Sequence, residues 1–303
     1  MKPRPQRPRK SPASDGRSLA TLARRILRLH YRRFLAAETR LRLGTDPECV
    51  HDLRVAARRM RAALRCFAAA LPRAWGRRTL AELQWIARAM SRLRDLEVSL
   101  EILRKDRRRL PPKCRAGADR IAVRLESRRG AAQRQVIEAM DSARGRRLGA
   151  TLGRFFRRRG AAPARRAPDP ADLLIGRHRK VRRLLREMAP LPTAAELHTL
   201  RIQLKKLRYA CEFLAGHYGG PVGELADRLA RIQDVLGAHH DEEVLSALLR
   251  RFRAPALAPA LGALQQRRRQ RLLALQQSCA RALRKLQEAK LKRFFARLRR
   301  APR

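Results

Sequence analysis

The chain has 303 residues, 74 Lys and Arg against 26 Asp and Glu, a formal net charge of +48 and a pI near 11.9. A positive field of that size calls for a polyanionic partner. A hydrophobic share of 45% allows a buried core, but no uninterrupted apolar run of ~18 residues could span a bilayer and no apolar signal segment opens the chain, which predicts a cytoplasmic protein with no membrane partner.

Residues 1–17, MKPRPQRPRKSPASDGR, mix prolines with bare cations and predict a disordered basic arm. From Ser18 a helical period begins in Leu19, Leu22, Ile26 and Leu29, and it runs to Leu43, where Gly44 supplies a stop. Asp46 and Pro47 open the next helix, with proline tolerated in a first turn, and Pro72 closes it. Further helices are expected at about 77–91, 95–109 and 116–142. Asp95 and its later counterpart Asp241 are expected as N-caps, each with a salt bridge to the basic helices. Prolines, glycine and unpaired charge from residue 157 onward mark a linker over 158–170. Strand-type alternation is essentially absent, so the fold class is all-α.

The most telling segment is HDLRVAARRMR at His51, answered by HTLRIQLKKLR at His198. At 100° per residue, His51, Arg54, Arg58, Arg61 and Arg65 share a stripe roughly 80° wide. Leu53, Met60, Leu64 and Phe67 fall opposite. In the second copy His198, Arg201, Lys205 and Arg208 repeat the stripe, with Leu200, Leu207, Cys211 and Leu214 opposite. A solvated helix face alternates signs, because like charges at i,i+4 repel and opposite charges attract by a few tenths of a kcal/mol. No carboxylate lies between Asp52 and Glu82. Stacked cations without internal relief, twice in one register, point to an external anion.

Other landmarks repeat in the same order. Tyr31–Leu35 (YRRFL) is answered by Val181–Leu185 (VRRLL), Arg94–Val98 by His240–Val244, and LGRFF ending at Phe156 by LKRFF ending at Phe295. Arg128 and Arg129 precede the first of those endings, Arg267 and Arg268 the second. An internal duplication follows, giving one helical bundle over 18–157 and another over 171–300. Packing about a pseudo-twofold axis would bring the two histidine helices together, joined by Arg28, Arg32, Arg182 and Arg186 from the helices before them.

Within such a site, a ligand of repeating phosphates asks for dense charge and little else. Nucleic acid recruits stacking aromatics, and the basic helices carry few, mostly on apolar faces. A basic RNA- or DNA-associated protein remains the alternative on charge alone, with nonspecific nucleic-acid binding. Neither a P-loop nor an acidic cluster on the basic stripe supports phosphoryl transfer. His51 and His198 lack the oriented acidic or thiolate partners of a metal or nucleophile site. Although His239 with Glu243 at i,i+4 has the atoms for a metal, the neighbouring Asp241 is read as a cap, so no metal, cofactor or catalytic residue is expected. The five cysteines form no CxxC pair and are odd in number, against a disulfide framework.

The pair VHDLRVAARRMRAALRCF and LHTLRIQLKKLRYACEFL, with RDLEV and HHDEEV following, resembles the CHAD domain, the conserved histidine α-helical domain, over about residues 18–300. The resemblance implies two pseudo-symmetric four-helix bundles around a basic cavity, inorganic polyphosphate as partner, and association with polyphosphate granules. The basic motif residues of that family fall here on His51, Arg54, Arg58, Arg59, Arg61, His198, Arg201, Lys205, Lys206 and Arg208. Glu212 stands where Arg65 would recur, which departs from the pattern. The ExExK motif of the CYTH domain often fused to this family is missing, so a stand-alone, non-catalytic binding module is expected.

Overall fold

The computed structural model describes residues 16–43, 48–157, 169–218, 220–288 and 295. Residues 1–15 of the basic arm, Gly44, Asp46, Pro47 and most of the linker lie outside those residues, while Gly16 and Arg17, expected in the disordered arm, are helical. Helices dominate the described residues, and none is a strand. In chain order the α-helices are α1 (Gly16–Leu43), α2 (Cys49–Cys66), α3 (Arg73–Arg107), α4 (Pro112–Asp141), α5 (Ala143–Arg157), α6 (Pro170–Glu187), α7 (Ala194–Tyr218), α8 (Gly220–Leu249) and α9 (Ala258–Glu288).

The apolar stripes of the histidine helices are buried as their periodicity requires. Leu53 and Met60 on α2, and Leu200, Cys211 and Leu214 on α7, have no exposed surface. Burial of one such leucine removes roughly 1.5–3 kcal/mol of unfavourable hydration, so these stripes fix which face of each helix remains for the cations.

Two boundaries depart from expectation. The helices expected over 77–91 and 95–109 are one continuous helix, α3. Nothing in Ser91-Arg92-Leu93-Arg94 breaks it: Ser91 returns its hydroxyl to the carbonyl of Ala87 at 2.8 Å, and Met90, Leu93 and Leu96 continue the buried stripe. Asp95 therefore sits mid-helix and caps nothing, and Asp241 likewise lies within α8. Arg128 and Arg129 are also interior to a helix, α4, which begins at Pro112 in its first turn.

The second departure is a break at Ser142, which divides the following segment into α4 and α5. Ser142 turns to an extended ψ of 156°, and its Oγ accepts from the Gly145 N–H at 3.1 Å, capping α5. A Cβ at Gly145 would come within 2.3 Å of the Met140 carbonyl oxygen, which is why that position is glycine. The first half thus contains five helices where a four-helix bundle was expected. On the far side of the linker, Asp169 Oδ1 accepts from the Ala171 N–H at 2.8 Å, and Pro170 opens α6.

Three pairs of helices join the two parts of the chain: α2 packs on α7, α3 on α8 and α4 on α9. Contacts along α2 and α7 run in one order. Arg59 lies over the Tyr209 ring and pairs with Glu212, and Phe67 meets Phe213 at a ring separation of 6.0 Å. Both helices therefore point the same way, with His51 and His198 at their leading ends. Arg268 of α9, 1% exposed, ties the halves together by pairing with Asp106 of α3 and Glu242 of α8.

Candidate anion-binding site

Along the contact of α2 with α7, cations from both helices converge. Arg54 and Arg58 of α2 face Arg201 and Lys205 of α7, each close enough to alter the ionisation of others in the group. Burial, then mutual repulsion, pushes the Lys205 ammonium down to about 7. Arg61 extends the group on α2, its guanidinium held down by burial and by Arg65, Arg54, Arg88 and Arg58. Among the described residues, none of Arg54, Arg58, Arg61, Arg201 and Lys205 has a carboxylate in direct ion pairing. The Nε atoms of Arg58 and Arg61 are buried donors without an acceptor, a state that folded proteins rarely leave unsatisfied.

Arg54 is held from the side of α3, where it donates to Ser91 Oγ at 3.1 Å. One helical turn onward stands Asp95, and across from it Asp241 of α8. Burial raises both carboxyls above their usual range, against the opposing pull of Arg54, Arg94 and Arg201 on Asp95 and of Arg201, Arg94 and Arg54 on Asp241. The two acids stand near the basic helices, but among the described residues neither caps a helix nor makes the salt bridge expected from the sequence, the cations acting on them only through space. These two acids, with Ser91, Arg94 and His240, belong to the site and were not among the expected binding residues.

The remaining expected residues divide by position. His51 and His198 stand at the leading end: burial and Arg94 lower the His51 imidazole, and the His198 ring lies 5.5 Å from that of His240. Arg208 approaches Lys205 but is drawn toward Glu212 at 3.4 Å. Arg59 is committed to the same Glu212 at 2.8 Å, so the departure at position 212 consumes two cations. Lys206 and Arg65 turn toward Arg177 and, for Lys206, Lys180, forming a separate cationic patch on the α6 side.

Arg28 does not join the group. Its guanidinium donates to the Phe156 carbonyl at 2.6 Å and lies over that ring, serving the carbonyl end of α5. Arg32 and Arg186 are exposed on α1 and α6, and Arg182 stands beside His178. The structure therefore does not gather these four around the α2–α7 contact.

Among the described residues, His, Cys, Asp and Glu side chains do not assemble in threes that could hold a metal ion, and no helix is long and apolar enough to cross a membrane. All five cysteines are free thiols, with burial raising Cys66 and Cys211 to about 12. Potential stacking aromatics are occupied: Phe67 and Tyr209 are buried, and Tyr31 stacks on Phe156 at 5.4 Å.

The CHAD domain family profile matches residues 25–250, a span that includes both histidine helices, Asp95 and Asp241. The chain belongs to the CHAD family. Among solved CHAD structures, PptA from Streptomyces chartreusis is 25% identical and superposes with a TM-score of 0.68, covering 89% of this chain and 99% of that one. The CHAD domain from the plant Ricinus communis, also 25% identical, gives a TM-score of 0.61 over 94% of this chain and 92% of its own. No curated protein matches the chain. The all-α CHAD fold and a relation to polyphosphate come with the family.

Proposed function

We propose that this CHAD protein binds inorganic polyphosphate along the α2–α7 contact, as a module without chemistry of its own, and that it acts in the cytoplasm at polyphosphate granules. The observation that carries the reading is the group of Arg54, Arg58, Arg61, Arg201 and Lys205, brought together from two helices without ion-paired carboxylates. Gathering like charges costs energy in the empty protein. A chain with one negative charge per unit relieves that cost at every position, and guanidinium groups hold phosphate oxygens through paired N–H donors.

The competing reading, a nucleic-acid-binding protein, finds support in total charge but not in the site, whose neighbouring aromatics are buried or already stacked. Determining the structure with polyphosphate bound tests the assignment: phosphates should order against Arg54, Arg58, Arg201 and Lys205. Phosphates confined to the outer arginines of α1, α4 and α6 would refute it. Incubation with polyphosphate and Mg²⁺ should leave the chain-length distribution unchanged; shortening would make the protein an enzyme.

A further inference from the structure

The leading end of the site is not the same in the two halves. In the first, Arg94 stands beside His51 and is engaged by Glu97 at 3.5 Å, while Ser91 fills the position next to Arg54. In the second, the repeat places His240 where the first has Arg94, and Gly237 where it has Ser91. A Cβ added at Gly237 would meet nothing within 4 Å. Beside His240 lies a cleft of about 360 Å³ between α7 and α8, reached by His198, Arg201, His239, His240 and Glu243.

The cleft adjoins the cationic group. Arg201 belongs to both, and His240 feels Arg201, His198, Lys205 and Arg54. Away from those side chains its walls are methyl-bearing, from Ala194, Ala195 and Ala247 with Leu236 and Val244. Such walls offer no donors for a further run of phosphates. A phosphate chain lying along α2 and α7 would reach imidazoles here and then an apolar stop.

We infer that this cleft seats the terminal phosphate of the polyphosphate chain, with His198 and His240 recognising the free end. The inference rests on the polyphosphate reading of the adjoining site. Interior units of the chain carry a single negative charge and no proton that titrates near neutrality. The end unit carries a second ionisation, which for a phosphate monoester falls near pH 6. A guanidinium can only donate, whereas an imidazole can donate to a phosphate oxygen or accept from a P–OH group. Burial and Arg201 lower the His240 imidazole to about 4, so in the empty site it is a neutral ring able to accept. His239 and Glu243 face the same space from α8, and Arg201 from α7 supplies the permanent charge. The exchange of arginine for histidine between the halves thus matches the one chemical difference between the middle of the chain and its end.

Competition against a labelled chain tests this, using short polyphosphates of matched length with termini either free or capped as phosphoramidates. The wild-type protein should prefer the free-ended chain by about tenfold, the scale of one charge-assisted hydrogen bond. The double variant His198→Gln and His240→Gln should lose that preference, so that free and capped chains bind it alike. Ala247→Gln, which fills the cleft from α8 and leaves both imidazoles in place, should lose it as well. Equal binding of free and capped chains by the wild type, or a preference that survives both variants, overturns the chain-end seat. If neither polyphosphate outcompetes RNA of equal charge, the polyphosphate reading itself falls.

Discussion

Arg54 on α2 donates to the hydroxyl of Ser91 on α3 at 3.1 Å, so the innermost cation of the first half is steadied by a neutral partner and keeps its full charge for a ligand. Replacement of Ser91 by Ala should loosen Arg54 and weaken polyphosphate binding a few-fold, the worth of one hydrogen bond to a charged group. Ser91→Asp should weaken it more, because a carboxylate at that position would neutralise Arg54. Titration calorimetry with polyphosphate separates the two, and tighter binding by the Asp variant would contradict the role given to Arg54.

Removing charge from the centre should matter more than removing it from the surface. Arg54→Ala with Arg58→Ala should lower affinity and flatten its salt dependence by roughly 0.7 log units per decade of salt for each lost phosphate contact, the slope of single-stranded polyanions. Arg120→Ala with Arg124→Ala, on the exposed face of α4, removes the same formal charge and should do much less. Binding isotherms across a salt series decide this, and equal losses from the two pairs would mean that only bulk charge is at work.

Lys205 gives the site a pH dependence. Its ammonium is lowered to about 7 in the empty protein, while the unfolded chain holds the proton to about 10.4. Between those values the unfolded state binds more protons, so stability of the free protein rises with pH through that window. Bound phosphate raises the Lys205 value, so binding takes up a proton and affinity falls as pH rises above 7. Lys205→Met should raise the melting temperature of the free protein, by roughly 2–4 °C for each kcal/mol of repulsion relieved, and weaken polyphosphate binding. Thermal melts with and without polyphosphate at pH 7 and pH 9 read both effects. An unchanged melting temperature together with full affinity would remove Lys205 from the site.

Arg268 is the buried ionic tie at the α3–α9 contact, almost wholly enclosed against Asp106 and Glu242, with Arg267 3.3 Å from Asp106 and Arg271 2.6 Å from Glu242. Truncating one member of a buried charge group leaves the others uncompensated, at a cost of about 3–5 kcal/mol. Arg268→Ala should therefore lower the denaturation midpoint sharply, with polyphosphate affinity of the remaining folded protein little changed. Substitution of Arg268, Asp106 and Glu242 together by apolar residues of similar volume should recover much of the loss.

Much of this architecture was legible in the chain. A period of 3.6 placed Leu53, Met60, Leu200 and Leu214 inside and Arg54, Arg58, Arg201 and Lys205 on the other face, because burial and charge both act along a single helix. What could not be read was contact between helices. Ser91 through Asp95 looked like a boundary because Asp95 resembles an N-cap, yet Ser91 bonds back to Ala87 and the helix continues. Arg28 shares the spacing of a binding residue, but the end of α5, far away in sequence, claims it. Glu212 was visible as an exception at its position, while its capture of Arg59 as well as Arg208 required α2 and α7 to be seen together. Asp95 and Asp241 recur at matching places in the repeat, and that recurrence was the available signal that they belong near the basic helices.

The central claim is that the α2–α7 cations select a bare phosphate chain over other polyanions. Competition between long-chain polyphosphate and RNA for the labelled-polyphosphate complex, at equal phosphate concentration and physiological salt, tests it most directly. Polyphosphate should displace the label at concentrations where RNA does not, and Arg54→Ala with Arg58→Ala should erase that difference. RNA competing as well as polyphosphate against the wild-type protein would contradict the account.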